Sequence, residues 1–287
     1  MTIRPRRSVL YMPGSNARAL EKAATLPADA LILDLEDAVA PDAKELARAQ
    51  VCAAVKDRRF AKREVIIRVN GLDTEWGHDD IEAAVAAGPD AILVPKVDNG
   101  DDVAHAAEHL ADAPASCALW LMLETPQAML YADEIAGSGG RLACIVMGTN
   151  DLAKELRAQI TPGREALLGS LNFAILAARA HGISAIDGVF NDIADAAGFE
   201  SVCRQGRALG FDGKTLIHPT QIEPCNRIFS PDPDEVARAR AVLAAFALPE
   251  NSAKGAIALD GRMVERLHAE IARHTVALAD AIAALRA

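Results

Sequence analysis

The amino-acid sequence predicts an α/β fold, a (β/α)8 TIM barrel with a C-terminal helical extension. Short apolar runs recur along the chain, each is followed by an alanine-rich amphipathic stretch, and eight such units fit into about 220 residues. Parallel strands are buried on both faces, so they read as continuous apolar runs. The eight predicted strands are residues 8–12, 30–35, 64–69, 91–96, 119–124, 143–148, 183–188 and 212–217.

A doubly wound sheet is the alternative for alternating strands and helices. Such sheets usually have fewer strands, and they often begin with a glycine-rich GxGxxG turn. That motif does not follow the first predicted strand, where PGSNARAL supplies only a Pro-Gly turn and an Asn or Ser cap for a helix. The pattern therefore favours the barrel.

The pattern changes after the eighth strand. Residues 230–250 predict a helix opened by Asp and Pro, residues 251–263 a glycine-containing linker, and the remaining residues a final helix to Ala287. The apolar positions of the final helix suit packing against the barrel or a neighbouring subunit. We therefore expect a barrel over residues 1–228 and a helical extension over 229–287.

Composition and charge narrow the class of function. The chain has 287 residues, of which 51% are hydrophobic and 24% charged, which is typical of a globular protein. Its net charge of −10 argues against binding nucleic acid, which needs a basic face. Local Arg and Lys clusters still allow an anionic substrate.

The cysteines and the lengths of the apolar runs indicate the cellular compartment of the protein. The 5 cysteines are an odd number, widely spaced and without a CxxC motif, so they indicate neither a disulfide framework nor a zinc site. The N-terminus has no apolar signal region, and no run approaches the roughly 18 apolar residues of a membrane span. We expect a cytoplasmic protein that does not bind membranes.

Polar residues follow nearly every predicted strand. The active site of such a barrel lies at the C-terminal ends of the strands, so these side chains should share one rim. A single carboxylate there could simply cap the next helix, because Asp is a favoured N-cap residue. The rim residues are Asp34, Glu36, Asp37, Arg68, Asn70, Lys96, Glu124, Asn150, Asp151, Asp187, Lys214 and His218.

Several carboxylates on one rim predict a divalent cation. They repel one another unless a cation neutralises them, and two or three carboxylate oxygens with waters are how proteins hold Mg²⁺. Arg68 and Lys96 would bind the carboxylate of the substrate, with Arg offering a planar fork for two oxygens. A cation beside an arginine suits a 2-oxo acid or its aldol adduct.

Sequence motifs along nearly the whole chain point to one family. RSVLYMPGS, LDLEDAV, IIRVNG, ILVPKV, LMLETPQAML, VMGTNDLAKEL, IDGVFND and FDGKTLIHPTQI occur in this order. In these motifs the chain resembles the citrate lyase β-subunit-like family of the HpcH/HpaI aldolase superfamily. That family includes malyl-CoA and citramalyl-CoA lyases and (3S)-malyl-CoA thioesterases.

The resemblance implies roles for individual residues. Glu124, in LMLETP, and Asp151, in GTNDLA, match the two Mg²⁺ ligands of the family, with Mn²⁺ as a possible substitute. Arg68, in RVNG, matches the residue that grips the oxo-acid portion. Further substrate-binding positions implied for acyl-CoA or the small acid are Tyr11, Arg18, Lys22, Lys96, Ile186 and Asp187, and Asp37 is taken as a catalytic residue with Arg68.

The general acid/base position departs from the family pattern. The resemblance implies an Asp in a segment like G-x-M-[IV]-D, delivered from the tail of an adjacent subunit. The matching segment here is GRMVE, which places Glu265 at that position. Asp260 is a second candidate, although a turn before Gly261 explains it better. A shared site implies a homo-oligomer, with a trimer favoured.

Three functions follow from the resemblance. The first is a lyase that cleaves a β-hydroxyacyl-CoA of the malyl-CoA or citramalyl-CoA type into an acyl-CoA and a 2-oxo acid. The second is a thioesterase that hydrolyses (3S)-malyl-CoA to malate and CoA. The third is a citryl-CoA lyase subunit that needs an acyl-carrier partner. Without a GxSxG motif in the sequence, an ordinary serine thioesterase is not expected.

Most histidines are expected outside the site. His218, before Pro219, is predicted to end a strand and satisfy the backbone, whereas His78, His105, His109 and His181 are predicted to be surface residues. The cysteines are expected to be packing residues.

Overall fold

The structure, a computed structural model, describes residues 3–60, 62–251 and 253–286. The eight predicted strands are confirmed to within two residues at each end, and they form one closed parallel barrel in chain order, β1 to β8. Their bounds are β1 Ser8–Pro13, β2 Ala30–Asp34, β3 Glu64–Arg68, β4 Ala91–Val94, β5 Ala118–Leu123, β6 Leu142–Met147, β7 Ser184–Asp187 and β8 Gly213–Leu216.

Helices follow the strands, as expected for a (β/α)8 barrel. Several begin with side-chain caps: Asn16, Asn99 and Asp195 each accept a hydrogen bond from a backbone N–H of the first turn. The helices are α1 Ala17–Ala23, α2 Lys44–Lys56, α3 Gly77–Ala87, α4 Gly100–His109, α5 Pro126–Leu130, α6 Ala132–Gly137, α7 Thr149–Glu155, α8 Leu168–Ala180, α9 Ala196–Leu209, α10 Ile222–Phe229, α11 Pro233–Ala247 and α12 Arg266–Arg286.

The barrel interior is apolar, and at the N-terminal ends of the strands lie the half-buried Arg6 and the buried Arg7. Arg6 donates to both carboxylate oxygens of Glu64 at 2.8 Å and lies over the Trp120 ring at 4.8 Å. Arg7 donates to Asp29 at 2.7 and 2.8 Å. Because function sits at the opposite end of such barrels, these pairs serve stability.

The chain divides into two compact units. One is Arg6–Arg227, which carries the barrel, and the other is the segment from Ile228 onward together with residues 3–5. In the second unit α11 begins as predicted, with Asp232 and Glu235 forming a reciprocal capping box. An apolar cluster joins its elements, including Phe246 of α11 and Ala269 of α12.

The predicted linker over residues 251–263 is wrong in one respect, because it contains most of a β-hairpin. Strands β9 Ala256–Leu259 and β10 Arg262–Glu265 pair in antiparallel fashion around Asp260 and Gly261. Both turn residues have positive φ, 50° and 73°, as a type I′ turn requires. The interpretation of Asp260 as a turn residue is confirmed. Among the described residues, no helix combines the length and the apolar character needed to cross a membrane.

Closure of the barrel predicts that Gly213 tolerates no side chain. A Cβ at this position would lie 2.6 Å from the Arg7 carbonyl oxygen and would also overlap the Arg6 carbonyl, where β8 pairs with β1. We expect Gly213→Ala to lower the free energy of unfolding by about 1–3 kcal/mol, as overpacking does. Urea unfolding followed by circular dichroism measures this change.

Gly169 provides the matched control, because a Cβ there meets no atom within 4 Å and the residue lies in α8. Gly169→Ala should leave stability unchanged or raise it slightly through helix propensity. Equal stability of the two variants would contradict the close approach of β8 and β1.

Candidate active site

Arg68 lies at the end of β3 and is surrounded by acidic side chains from the β2 loop. Its Nε and Nη2 donate to the two oxygens of Asp34 at 2.6 and 2.7 Å, and its Nη1 lies 2.5 Å from Glu36 Oε2 and 3.3 Å from Asp37 Oδ2. The guanidinium also stacks over the Tyr11 ring at 4.8 Å. Asp34 therefore binds one edge of the Arg68 guanidinium, and Nη1 contacts the more exposed carboxylates of Glu36 and Asp37.

Glu36 is the carboxylate most affected by this crowding. Burial raises its pKa from the usual 4.5 to about 8, and the charges of Asp37, Glu124 and Asp34 act in the same direction, while Arg68 opposes them. At neutral pH the protonated form of Glu36 therefore predominates. Asp37 has a 63% exposed side chain, so it stands at the solvent side of the cluster.

Lys96 holds the two predicted metal ligands together. Its Nζ lies 2.8 Å from Asp151 Oδ1 and 3.2 Å from Glu124 Oε1, and its backbone N–H donates to Glu124 Oε1 at 2.9 Å. Burial alone would lower the pKa of Lys96, but the Asp151 hydrogen bond and the Glu124 charge raise it to about 12. The φ of Lys96 is 55°, a conformation that non-glycine residues rarely adopt.

Glu124 has a free lone-pair side that suits a metal ion. Its side chain is fully buried, burial raises its pKa, and within the described part of the chain its Oε2 has no hydrogen-bond partner. The backbone of Gly148 leaves room there, since a Cβ on Gly148 would overlap both Glu124 Cβ and Oε2. A buried carboxylate oxygen without a partner, next to Asp151, fits the oxygen donors that Mg²⁺ prefers.

A cleft of about 940 Å³ adjoins these residues. Acidic and basic rim residues line one part of it, including Glu36, Asp37 and Lys96, while Trp76 and Pro126 add apolar surface. Lys96 is the lining residue that connects the cleft to Glu124 and Asp151, which do not themselves line it.

Lys44 is a positioning residue that the sequence analysis did not identify. The buried ammonium donates to the carbonyls of Leu35 and Glu36 at 2.8 Å and to Asn70 Oδ1 at 2.7 Å. Asn70 in turn donates to Asp80 Oδ2 at 2.5 Å. Burial lowers the pKa of Lys44. This network holds the β2 loop that carries Glu36 and Asp37. An Ala-rich helix that begins with a lysine gave no signal of it.

Ile186 and Asp187, predicted to hold acyl-CoA, are fully buried. Asp187 accepts from Arg164 Nη1 at 2.7 Å and from Lys214 Nζ at 3.0 Å. Burial would raise the pKa of Asp187, yet Lys214 and Arg164 lower it. The structure therefore gives Asp187 a buried ion-pair role that also occupies Lys214, and contact of these side chains with a substrate stays a prediction.

The other predicted substrate-binding residues fall into two groups. Tyr11 packs inside the barrel against Arg68 and Met122, and burial raises its pKa. Arg18 and Lys22 are exposed on α1, four residues apart and hence on one face of that helix. Tyr11 is thus placed beside Arg68, and the two cations face solvent.

Glu265 belongs to the second unit. It ends β10 and precedes α12, and His268 accepts a hydrogen bond from its backbone N–H at 3.0 Å. Its side chain is half-buried. Nearby apolar side chains are exposed, with Met263 at 71%, Leu267 at 51% and Ile271 at 60%.

The histidines of the unit that carries the barrel lie outside the cluster of Arg68, Lys96 and Glu124. His218 accepts from the Thr220 N–H and begins a short 3-10 helix, so its predicted backbone role is confirmed. His181 pairs with Asp133 at 2.8 Å near the surface. His78 and His105 are exposed and His109 is half-buried, but the three lie side by side, which their positions in the sequence did not predict. The five cysteines are buried and unpaired.

Comparison with known protein families identifies the family to which the barrel belongs. The HpcH/HpaI aldolase/citrate lyase family matches residues 7–219, most of the chain. The chain belongs to this family. Among relatives, a (3S)-malyl-CoA thioesterase of Cereibacter sphaeroides is 51% identical over 283 residues, covering 99% of this chain and 98% of the relative. Citrate lyase subunit beta of Escherichia coli is 37% identical over 269 residues, covering 91% and 89%.

Solved structures of the HpcH/HpaI family agree with the fold. CitE of Mycobacterium tuberculosis in complex with magnesium, acetoacetate and coenzyme A matches with a TM-score of 0.76 at 29% identity, covering 96% of this chain and 99% of that one. The predicted resemblance to the citrate lyase β-like enzymes is therefore confirmed, as is the barrel.

The raised pKa of Glu36 predicts how stability depends on pH. Between about pH 4.5 and 8 the folded chain keeps a proton on Glu36 that the unfolded chain releases, so the free energy of unfolding falls as pH rises through this window. Glu36→Gln has no such proton. Its stability relative to wild type should increase from pH 5 to 8, with a slope of at most about 1.4 kcal/mol per pH unit. Urea unfolding at each pH measures the difference, and a difference independent of pH would refute the shift.

Proposed function

We propose that this chain is a magnesium-dependent enzyme acting on a short β-hydroxyacyl-CoA of the malyl-CoA type. The observation that carries the proposal is the pairing of buried Glu124 with Asp151 across one ammonium, with Glu124 Oε2 unpartnered in the described structure. It is supported by a relative of almost the same length that is a (3S)-malyl-CoA thioesterase. The cytoplasm stays its predicted location.

Glu124 and Asp151 would hold the metal. The ammonium of Lys96 lies between their carboxylates, which indicates that positive charge is stabilised at this point. When bound, Mg²⁺ would polarise an oxygen of the substrate as a Lewis acid. Lys96, displaced from the two carboxylates, would be free to bind the carboxylate of the substrate. Magnesium in the related CitE complexes supports this choice of metal.

Arg68 would bind the small acid through Nη1. Asp34 occupies its Nε and Nη2, so the substrate carboxylate would take the place of Glu36 and Asp37 at Nη1. Protonated Glu36 lowers the repulsion that an incoming carboxylate would meet. The stacking on Tyr11 keeps the plane of the guanidinium fixed.

Arg18 and Lys22 would contact coenzyme A. Both are exposed on one face of α1, which follows the first strand of the barrel. Exposed cations four residues apart suit the phosphates of a nucleotide. Ile186 and Asp187 would contribute indirectly, because their buried side chains shape β7 beneath the rim.

Two net reactions are open to such a site. In the lyase reaction the hydroxyl of the substrate gives up its proton, the carbon–carbon bond breaks, and the electron pair passes to the α-carbon of the acyl-CoA, which then takes a proton. In the thioesterase reaction water adds to the thioester carbon and CoA leaves as the thiol. The lyase is the expectation from the motifs, and the relatives at 51% identity favour hydrolysis.

Glu265 would supply the proton from a neighbouring subunit. It stands at the family's acid/base position, and the apolar surface around it, formed by Met263, Leu267 and Ile271, suits burial in an oligomer. A head-to-tail interface that closes into a ring gives each site one foreign tail, and a trimer is the ring proposed here. A subunit role in a citrate lyase complex is a further candidate, favoured by the 37% identical relative.

Products of one incubation test the function. Purified protein with Mg²⁺ and (3S)-malyl-CoA should release free thiol and malate if it is a thioesterase, or acetyl-CoA and glyoxylate without free thiol if it is a lyase, and EDTA should abolish either release. Glu124→Gln should lower turnover by more than roughly 100-fold, because a direct ligand matters more than a supporting group.

Thr161→Ala is the matched control, because in the described part of the chain its hydroxyl bonds to Glu165 and Thr161 does not line the cleft. It should keep wild-type turnover. Turnover that survives EDTA would refute the metal, and no product of either kind without an acyl-carrier protein would favour the subunit role.

Shared sites predict that two inactive variants rescue each other. Asp151→Ala removes the metal end and Glu265→Ala the tail, so mixed oligomers would rebuild about a quarter of the sites at equal amounts. Turnover of the mixture after subunit exchange measures the recovery. If mixed oligomers form, shown by mass spectrometry, and activity stays at zero, each site uses its own tail or none.

A further inference from the structure

Three histidines on neighbouring outer helices form a compact cluster. His78 is the second residue of α3, and His105 and His109 lie one helical turn apart on α4. The ring centroids are 5.0 Å apart for His78 and His109 and for His105 and His109, and 5.8 Å for His78 and His105. One ring nitrogen of each lies within 4.8 Å of the others.

The cluster has no role in the proposed reaction. Its residues belong to helices outside the barrel rather than to the strand ends that carry Arg68 and Glu124. In the described part of the chain the nearest charged partner is Glu108, whose Oε2 lies 4.0 Å from His105 Nδ1. The imidazole nitrogens are therefore available for another ligand.

Electrostatic repulsion disfavours simultaneous protonation of the three histidines and so favours a metal ion as their ligand. Three imidazolium ions at this separation would repel one another, and burial together with His105 and His78 lowers the pKa of His109. The neutral imidazole is the form that binds metals, so the lowered pKa of His109 favours metal binding by that residue.

The spacing is close to that of a coordination sphere. Zinc–nitrogen bonds of about 2.0–2.1 Å place two ligand nitrogens of a tetrahedral site roughly 3.3 Å apart. The present limit of 4.8 Å exceeds this by an amount that rotation about side-chain bonds covers, and His78 and His105 are exposed and free to rotate. Water would complete the fourth position.

We propose that His78, His105 and His109 form a binding site for a borderline transition-metal ion, with Zn²⁺ as the ion that fits best. Imidazole selects zinc-like ions, whereas the carboxylates of Glu124 and Asp151 suit a hard ion such as Mg²⁺. The chain would therefore carry two metal sites that choose different ions. Zinc would also link α3 to α4, and α3 begins directly after the cleft residue Trp76.

Titration with Zn²⁺ in saturating Mg²⁺ tests the site. Calorimetry on the full chain should show one saturable equivalent of zinc, and added zinc should raise the melting temperature. The double variant His105→Ala/His109→Ala should weaken binding by more than roughly 100-fold, since both are direct ligands. Co²⁺ should give the visible absorption of a tetrahedral ion in wild type and not in the variant.

Two controls identify the ligands. His274→Ala removes another exposed histidine, on α12, and should bind zinc like wild type. Asp151→Asn should do the same, because it alters only the carboxylate site. The proposal is overturned if the double histidine variant, shown to be folded by circular dichroism, binds zinc like wild type, if Asp151→Asn abolishes binding, or if uptake does not saturate.

Discussion

Repulsion among carboxylates on one closed rim is the constraint on which the site depends. Parallel strands in a closed barrel all end on the same side, so the acids of β2, β5, β6 and β7 cannot separate. Each group of carboxylates is paired with its own cations. Arg68 contacts Asp34, Glu36 and Asp37, and Lys96 contacts Glu124 and Asp151. Asp187 pairs with both Arg164 and Lys214. At Glu36 and Glu124 burial raises the pKa of the carboxylate, and the nearby cations offset this only in part.

The three groups differ in how many cations neutralise their carboxylates. This difference distinguishes a carboxylate that stabilises the fold from carboxylates that can bind a metal ion. Asp187 has two cations for one carboxylate and a lowered pKa, which makes it a stable buried anchor. Glu124 and Asp151 share one ammonium, so the pair retains negative charge that a divalent ion can neutralise. The same reasoning explains why a strained backbone at Lys96 is tolerated, since its N–H and Nζ both serve Glu124.

Sequence patterns predicted the strands and the rim because both depend on local rules. Buried parallel strands are continuous apolar runs, and polar residues that follow them must reach one end of the barrel. The partner of each rim residue depends on register and on long side chains, so neither the Lys96 bridge nor the Lys44 network was predictable. The hairpin β9–β10 was missed although Asp260-Gly261 is a hairpin signal, because its strands have only four residues each. The histidine cluster joins residues of two helices, α3 and α4, and only the tertiary structure brings them together.

Under the proposed role of Glu265 as acid/base, its position would bear on the choice between the two reactions. A carboxylate that must protonate a carbon has to approach it closely, whereas hydrolysis of a thioester needs a carboxylate only within reach of water. Glutamate in place of the family's aspartate moves the carboxylate about one bond length further from the backbone. The backbone of Glu265 is held in place, because its N–H donates a hydrogen bond to His268 at the junction of β10 and α12. The extra methylene therefore shifts the carboxylate rather than the strand, and if Glu265 acts as proposed, a shift of this size at a reacting carbon would favour one outcome over the other.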